Sequence, residues 1–350
     1  EDPLRAPPQP VSPPPAGTAR GRAPRPRIRA SRRPERQGGV TPLYDVIGDV
    51  HGHADELEAL LARLGYRPAN GAWRHPERTA VFVGDFLDRG PKIRETLRLV
   101  RPMLEQGSAL AVLGNHEWNA FCWHTDDPGA PGAHLRPHNA KNLAQHEATL
   151  AQVPEAELAS HLAFLKTLPV RLELPSANVV HACWDEVAFH VVDEALARHG
   201  GLTDAFLVEG SHDESLLFAA LEIALKGKEM ALPPGDSFKD KDGVERTLAR
   251  VRWYAPPAGH TVASYALPSF AGLSDAPLPA KVIAEARPYP KDKPPVFFGH
   301  YWLEDAEPSP LADNAVCLDY SVARGGFLCG YRLDEEGRVD LRQFETVAAG

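Results

Sequence analysis

The chain has 350 residues, 43% hydrophobic and 24% charged, with a formal net charge of -9. That is an ordinary globular balance, with enough length to bury a sizeable core in one large domain or two small ones. Residues 1–39 hold nine Arg against Glu1, Asp2 and Glu35, a balance of +6, so the rest of the chain carries -15, which argues against nucleic acid bound through a broad basic face.

Four cysteines (Cys122, Cys183, Cys317 and Cys329) are scattered without a C-x-x-C pair. This fits reduced thiols in a cytoplasmic protein better than a disulfide framework or a thiolate zinc site. No apolar run approaches transmembrane length, so no membrane partner is expected. Residues 1–39 are Pro- and Arg-rich, lack apolar periodicity and contain no secretory h-region. They are expected to be disordered: a dispensable extension, or sequence upstream of a start near Val40, with a nucleic-acid-binding arm as the alternative.

From Leu43 the character changes. Leu43-Tyr44-Asp45-Val46-Ile47 reads as a strand that ends in Gly48-Asp49-Val50-His51-Gly52-His53. A helix follows, with Leu57, Leu60, Leu61 and Leu64 on one face and Gly65 placed to stop it. Ala80 to Val83 is a second apolar strand, delivering Gly84-Asp85-Phe86-Leu87-Asp88-Arg89-Gly90. A helix is expected from about Lys92 to Glu105, with Pro91 suited to its first turn. A third strand, Ala109 to Leu113, ends in Gly114-Asn115-His116-Glu117. Strand, polar loop and helix thus recur three times, the pattern of βαβ units on a parallel sheet.

Residues 118–168 read as mainly helical, including 155–168. Val170 to Leu174 and Asn178 to Val180 read as strands, the second ending in His181, and Val296 to Phe298 as another, ending in Gly299-His300. The stretch 186–250 reads as an insertion over the site, its clearest helix running from Glu214 to Leu225. Ala315 to Leu318, Gly326 to Leu333 and Val339 to Phe344 close the chain as strands of a second sheet. Five strand ends therefore offer Asp49 and His51, Asp85 and Asp88, Asn115 and His116, His181, and His300. Carboxylate, imidazole and amide donors of this kind suit borderline divalent ions such as Mn²⁺, Fe²⁺ or Zn²⁺.

The series GDVHGH, GDFLDRG, GNHE, a lone His181 after a strand and a final Gly299-His300 resembles the calcineurin-like metallophosphoesterases. The DRG and GNHE spelling is similar to the branch of the Ser/Thr protein phosphatases. FFGHYW followed by CLDYSVARGG resembles the bacterial diadenosine tetraphosphatases. The resemblance spans residues 48 to about 330 and implies an α/β fold over 40–350. That fold is a four-layer αββα sandwich of two central mixed sheets flanked by helices, with 186–250 as a partly helical cap.

Position by position, the resemblance implies two divalent metal ions, Mn²⁺ first, with Fe, Zn, Ni, Co or Mg as alternatives. Asp49 and His51 would hold one metal and Asp85 would bridge both, while Asn115, His181 and His300 complete the second. His116 would protonate the leaving oxygen, Asp88 would orient that imidazole, and Arg89 would grip the phosphate. The chemistry needs these types independently: two cations roughly 3.5–4 Å apart share a carboxylate and acidify a water, and a bidentate Arg answers the charge of a phosphoryl group.

His53 and Arg252 are further candidates for substrate contact, His53 with helix capping as its simpler role. His260, after Pro256-Pro257-Ala258-Gly259, is not expected to be a ligand. Trp118, Trp123, Trp184, Trp253 and Trp302 fall near the motifs, and the ordinary expectation for them is an apolar wall.

The expected activity is hydrolysis of phosphate monoesters, including phosphoprotein, by metal-bridging hydroxide. The alternative is hydrolysis of dinucleoside polyphosphates or other nucleotide anhydrides, favoured by the carboxyl-terminal segments. A non-catalytic metal-binding module would lack a ligand or the general acid, and every such position is filled. A phosphatase of nucleic-acid ends using the basic arm is the remaining reading.

Overall fold

A computed structural model describes residues 42–239 and 243–350 of the chain. The expectation of disorder over 1–39 falls outside the described residues. Leu43–Ile47 is the hub of a six-stranded mixed sheet. It pairs in parallel with Arg78–Phe82, which pairs in parallel with Ala109–Ala111. On its other side it pairs antiparallel with Phe327–Leu333, which also carries Asp319–Tyr320 and Phe344–Ala348. A second mixed sheet has four strands in the order Ala315–Cys317, Val296–Phe298, Asn178–Val180 and Arg171–Glu173. Val81, Phe82, Val179, Val180, Phe297 and Phe298 are fully buried, as strands covered on both faces require.

Helices Ala54–Arg63 and Ile93–Glu105 pack on the six-stranded sheet, the first burying Leu57, Leu60 and Leu61 and the second Ile93, Leu97, Val100 and Met103. Gly330 lets the first helix come close, because a Cβ there would touch Leu60 and Leu64 at 3.3 and 3.5 Å. Two mixed sheets with helices packed on them are the α/β class that the motif order implies. The closing strands differ from expectation. Only Ala315–Cys317 joins the second sheet, whereas Phe327–Leu333 returns to the first. Residues 341–343 form a 3₁₀ turn whose first N–H groups meet Asp340, and the strand starts later, at Phe344–Ala348. Apolar alternation marks a strand but carries no information about which edge it pairs with.

Within 186–250 lie helices Glu186–His199, Asp204–Ser211 and Leu216–Lys226 and short ribbons such as Glu229–Ala231 with Leu248–Arg250. The segment is stitched to the loop after His181: the Ala224 carbonyl accepts the N–H groups of Ala182 and Cys183, and Lys228 pairs with Asp185. All four cysteines are free and buried. Among the described residues no helix is long and apolar enough to cross a membrane.

One buried ion cluster ties the hub strand to both neighbours. Asp45, with a fully buried side chain, accepts from Arg78 Nε at 2.9 Å and from Arg332 Nε at 3.2 Å. Arg78 also donates to the carbonyls of Tyr44 and Leu333. Asp45→Ala leaves the nearly buried Arg78 without its counter-charge and is expected to cost about 3–5 kcal/mol. Urea denaturation followed by circular dichroism measures this, and a loss under about 1 kcal/mol would mean that Arg78 finds water instead.

Candidate dinuclear metal site

The polar loops at the strand ends lock to one another through the backbone. The N–H groups of Val50 and His51 donate to the Asp85 carbonyl at 3.2 and 2.9 Å, and Gly52 N–H donates to Phe86 O at 3.1 Å. Glu117, fully buried at the start of helix Asn115–Trp123, is a clamp. Its carboxylate accepts the N–H groups of Asp85, Phe86, Leu87 and Gly114 at 2.8–3.2 Å. Burial and the charge of Asp85 push its carboxyl up to about 7, while the backbone donors favour the ionised form. GNHE contains this residue, and its signal was a buried-helix carboxylate three positions after a Gly N-cap.

Seven non-glycine residues with left-handed backbone sit in these loops: His51, Asp85, Asp88, Arg89, His300, Trp302 and Ser321. Such conformations cost about 1–3 kcal/mol each and persist where surroundings impose them, which is typical of functional sites. Glycine is required at the closest approaches. A Cβ at Gly299 would stand 1.8 Å from Asp49 Oδ1, and one at Gly114 would stand 2.2 Å from Asp85 Oδ1.

The imidazoles are oriented from behind. Nδ1–H of His51 donates to Leu87 O at 2.9 Å, and Nδ1–H of His181 donates to Val83 O at 2.8 Å. These bonds turn the Nε2 atoms of both rings towards the interior. They converge on one oxygen, Asp85 Oδ2, at 3.5 Å from His51 and 3.4 Å from His181. Asn115 Oδ1 lies 2.9 Å from His181 Nε2 and 2.7 Å from His300 Nδ1. His51, Asp85 and His116 offer donor atoms within 4.8 Å of one another, as do Asp85, His181 and His300, so Asp85 belongs to both groups. Asp49 is buried beside them, its Oδ2 accepting the His300 N–H at 3.0 Å and its Oδ1 having no hydrogen-bond partner.

The electrostatics demand cations. Burial, then the charges of Asp319 and Asp85, raise the Asp49 carboxyl well above the ordinary range. For Asp85, burial acts in the same direction, but the charges of His181, His116 and His51 hold it well below. Burial disfavours the His181 imidazolium, yet the charge of Asp85 lifts it to about 10. His51 is held well below its usual value by burial and by the charge of His116. Buried carboxylates, inward-facing Nε2 atoms and the unsatisfied Asp49 Oδ1 and His51 Nε2 fit a pair of divalent cations.

His116 is in the first donor group, where the sequence assigns Asp49. Its Nδ1 is taken by Asp88 Oδ2 at 2.6 Å, leaving Nε2 for a ligand or a proton. Asp88 is held below the usual carboxylate range, burial opposing and the bonds from His116 and His146 prevailing. His146 and Thr149 are partners of Asp88 that the sequence does not betray, because they lie about sixty positions away. Arg89 stacks on the Trp302 ring at 4.7 Å, and Arg324 lies 5.7 Å from the same ring. Trp302 also sits 5.6 Å from the His51 ring, and its backbone N–H donates to Asp319 Oδ2 at 2.7 Å.

The remaining candidates make the following contacts. His53 occupies the N-cap position of its helix without a side-chain cap bond, its Nδ1 3.5 Å from Glu56. Arg252 donates to the Tyr254 hydroxyl at 3.4 Å. His260 pairs with Ser264. Trp118, Trp123, Trp184 and Trp253 are buried against Phe206, His138, Phe189 and Phe298 as wall and core.

Residues 44–209 match the family described as calcineurin-like phosphoesterase. The chain is 49% identical over 74 residues to the asymmetrical bis(5'-nucleosyl)-tetraphosphatases PrpE of Halalkalibacterium halodurans and Bacillus subtilis. Those alignments cover 21% of this chain, and the chain spans about a third, 30%, of the length of these curated relatives. A solved protein-tyrosine phosphatase from a psychrophilic Shewanella aligns over 89% of this chain and 81% of its own, at 16% identity and a TM-score of 0.45. A Saccharomyces cerevisiae protein serine/threonine phosphatase aligns over 88% and 80%, at 14% identity and a TM-score of 0.46. It is over residues 44–209, the stretch that holds Asp49 to His181, that this chain is similar to the calcineurin-like phosphoesterase family.

Proposed function

We propose that this chain is a metal-dependent hydrolase of phosphate esters or anhydrides, working at the pair of donor groups that share Asp85. The observation that carries the reading is the convergence of His51 and His181 on a single Asp85 oxygen, at 3.5 and 3.4 Å. Asp49, His51 and Asp85 would hold one ion, and Asp85, Asn115, His181 and His300 the other. Two divalent ions there would supply Lewis acidity, drawing charge from the phosphoryl oxygens and acidifying a water. The donor types suit Mn²⁺, Fe²⁺ or Zn²⁺, and the family resemblance puts Mn²⁺ first.

The chain's own residues complete the chemistry. Asp88 accepts from Nδ1–H of His116, so the proton that His116 delivers to the leaving oxygen comes from Nε2. Arg89, on the loop of Asp85 and Asp88, carries the guanidinium that answers a phosphoryl oxygen. Glu117 acts earlier, setting the backbone of that loop through four hydrogen bonds.

Among substrates, phosphate monoesters satisfy this machinery, and nucleotide anhydrides are favoured by a specific feature. Trp302 offers an indole face beside His51, with the guanidiniums of Arg89 and exposed Arg324 both against its ring. A ring flanked by two cations suits a short phosphate chain that ends in a base. Similarity to the PrpE tetraphosphatases supports the same direction.

The test is hydrolysis by the full chain with Mn²⁺ of p-nitrophenyl phosphate, a phosphopeptide and diadenosine tetraphosphate. For Arg324→Ala, kcat/KM on the tetraphosphate is expected to fall ~3-fold further than on p-nitrophenyl phosphate, the scale of one exposed cation contact. An equal fall on both removes the anhydride reading, and no hydrolysis of any of the three removes the activity itself.

A further inference from the structure

Helix Ala140–Gln152 buries almost nothing apolar: the side chains it turns fully inward are His146 and Thr149. Together with Gln152 they stand at i, i+3 and i+6, on one face. All three bind the loop that carries Asp88. Nδ1–H of His146 donates to Asp88 Oδ1 at 2.8 Å and Thr149 Oγ1–H to the same oxygen at 2.6 Å, while Asp88 N–H donates back to Thr149 Oγ1 at 2.9 Å. Gln152 donates to Gly90 O at 2.8 Å and accepts Ile93 N–H at 2.7 Å. A helix whose inner face is polar and spent on one loop is a splint for that loop, not a wall of the core.

We propose that His146 is a positioning residue for the hydrolysis, acting through Asp88 on His116. With Oδ1 committed to His146 and Thr149, the carboxylate presents Oδ2 alone to Nδ1 of His116, at 2.6 Å. This holds the imidazole in the tautomer that keeps its other nitrogen facing the metal groups. His146 is itself fixed from outside, since its Nε2 lies 3.2 Å from Nε2 of His124. Burial and the charges of His146, His138 and His134 push His124 down to about 4, so near neutrality it is uncharged. His116, Asp88, His146 and His124 thus stand in one hydrogen-bonded row. The 58 residues between Asp88 and His146 hide this link from any local motif.

The inference rests on the general-acid reading of His116, so its test has one arm that needs no turnover. In the full chain, the proton of His116 Nδ1 bonded to Asp88 is followed by ¹H–¹⁵N NMR at low field. It is expected to shift upfield or exchange away in His146→Ala and to persist in His146→Asn, whose amide reaches the position of Nδ1. In kinetics, kcat of His146→Ala on phenyl phosphate is expected to fall about tenfold further than on p-nitrophenyl phosphate, with KM little moved, because the poorer leaving group depends more on the acid. His146→Asn should restore most of that difference.

An unmoved NMR signal, or equal losses on the two esters with a lowered melting temperature, overturns the proposal and leaves His146 a structural residue. If His146→Ala does not fold, His146→Gln, which sets its donor further out, is read in its place by the same signal. A wild type that hydrolyses neither these esters nor diadenosine tetraphosphate overturns the proposed function, while the NMR arm still decides whether His146 orders His116.

Discussion

Asp85→Asn is expected to lower turnover of any substrate by at least ~10³-fold, about 4 kcal/mol of barrier, and to reduce the divalent metal that the protein retains. Asp85 Oδ2 is the atom on which both donor groups converge, so losing its charge weakens both ions together. The neutral amide can still accept the His116 N–H that Asp85 Oδ1 accepts at 2.9 Å. The loop itself is held by Glu117, so the variant should fold. Metal content by mass spectrometry and steady-state kinetics check this together. A variant with two metals and a tenth or more of wild-type activity would remove Asp85 from the shared position.

His116→Asn is expected to lose ~10²–10⁴-fold in kcat on esters with poor leaving groups and less on p-nitrophenyl phosphate, the range for a general acid. The structure makes this experiment decisive, because His116 also falls within ligand distance of His51 and Asp85. A general acid keeps both metals and shows a steep dependence on leaving group. A ligand loses one metal and slows all substrates alike. The 2.6 Å bond to Asp88 favours the first outcome, since it spends Nδ1 and orients Nε2 as a proton donor.

How far the site was legible follows from where its information lies. Asp49, His51, Asp85, Asp88, Asn115, His116, His181 and His300 each follow an apolar strand within a few positions, and chain order alone announces them. Glu117 was visible as a letter of its motif but not as a clamp, because its partners are backbone N–H groups thirty residues away. His146 and Thr149 sit in a helix with no motif. Arg324, which no motif singles out, lies against the Trp302 ring. The closing strands were recognisable as strands, while their return to the first sheet was not.

By itself, then, the sequence determined the kinds of donor, their delivery at strand ends and the α/β class, because strand period, turn chemistry and ligand type are local properties of the chain. Only the tertiary structure decided which oxygen both histidines share, which helix braces Asp88 and which arginine meets Trp302. Each of those depends on distances between segments that the chain brings together only by folding.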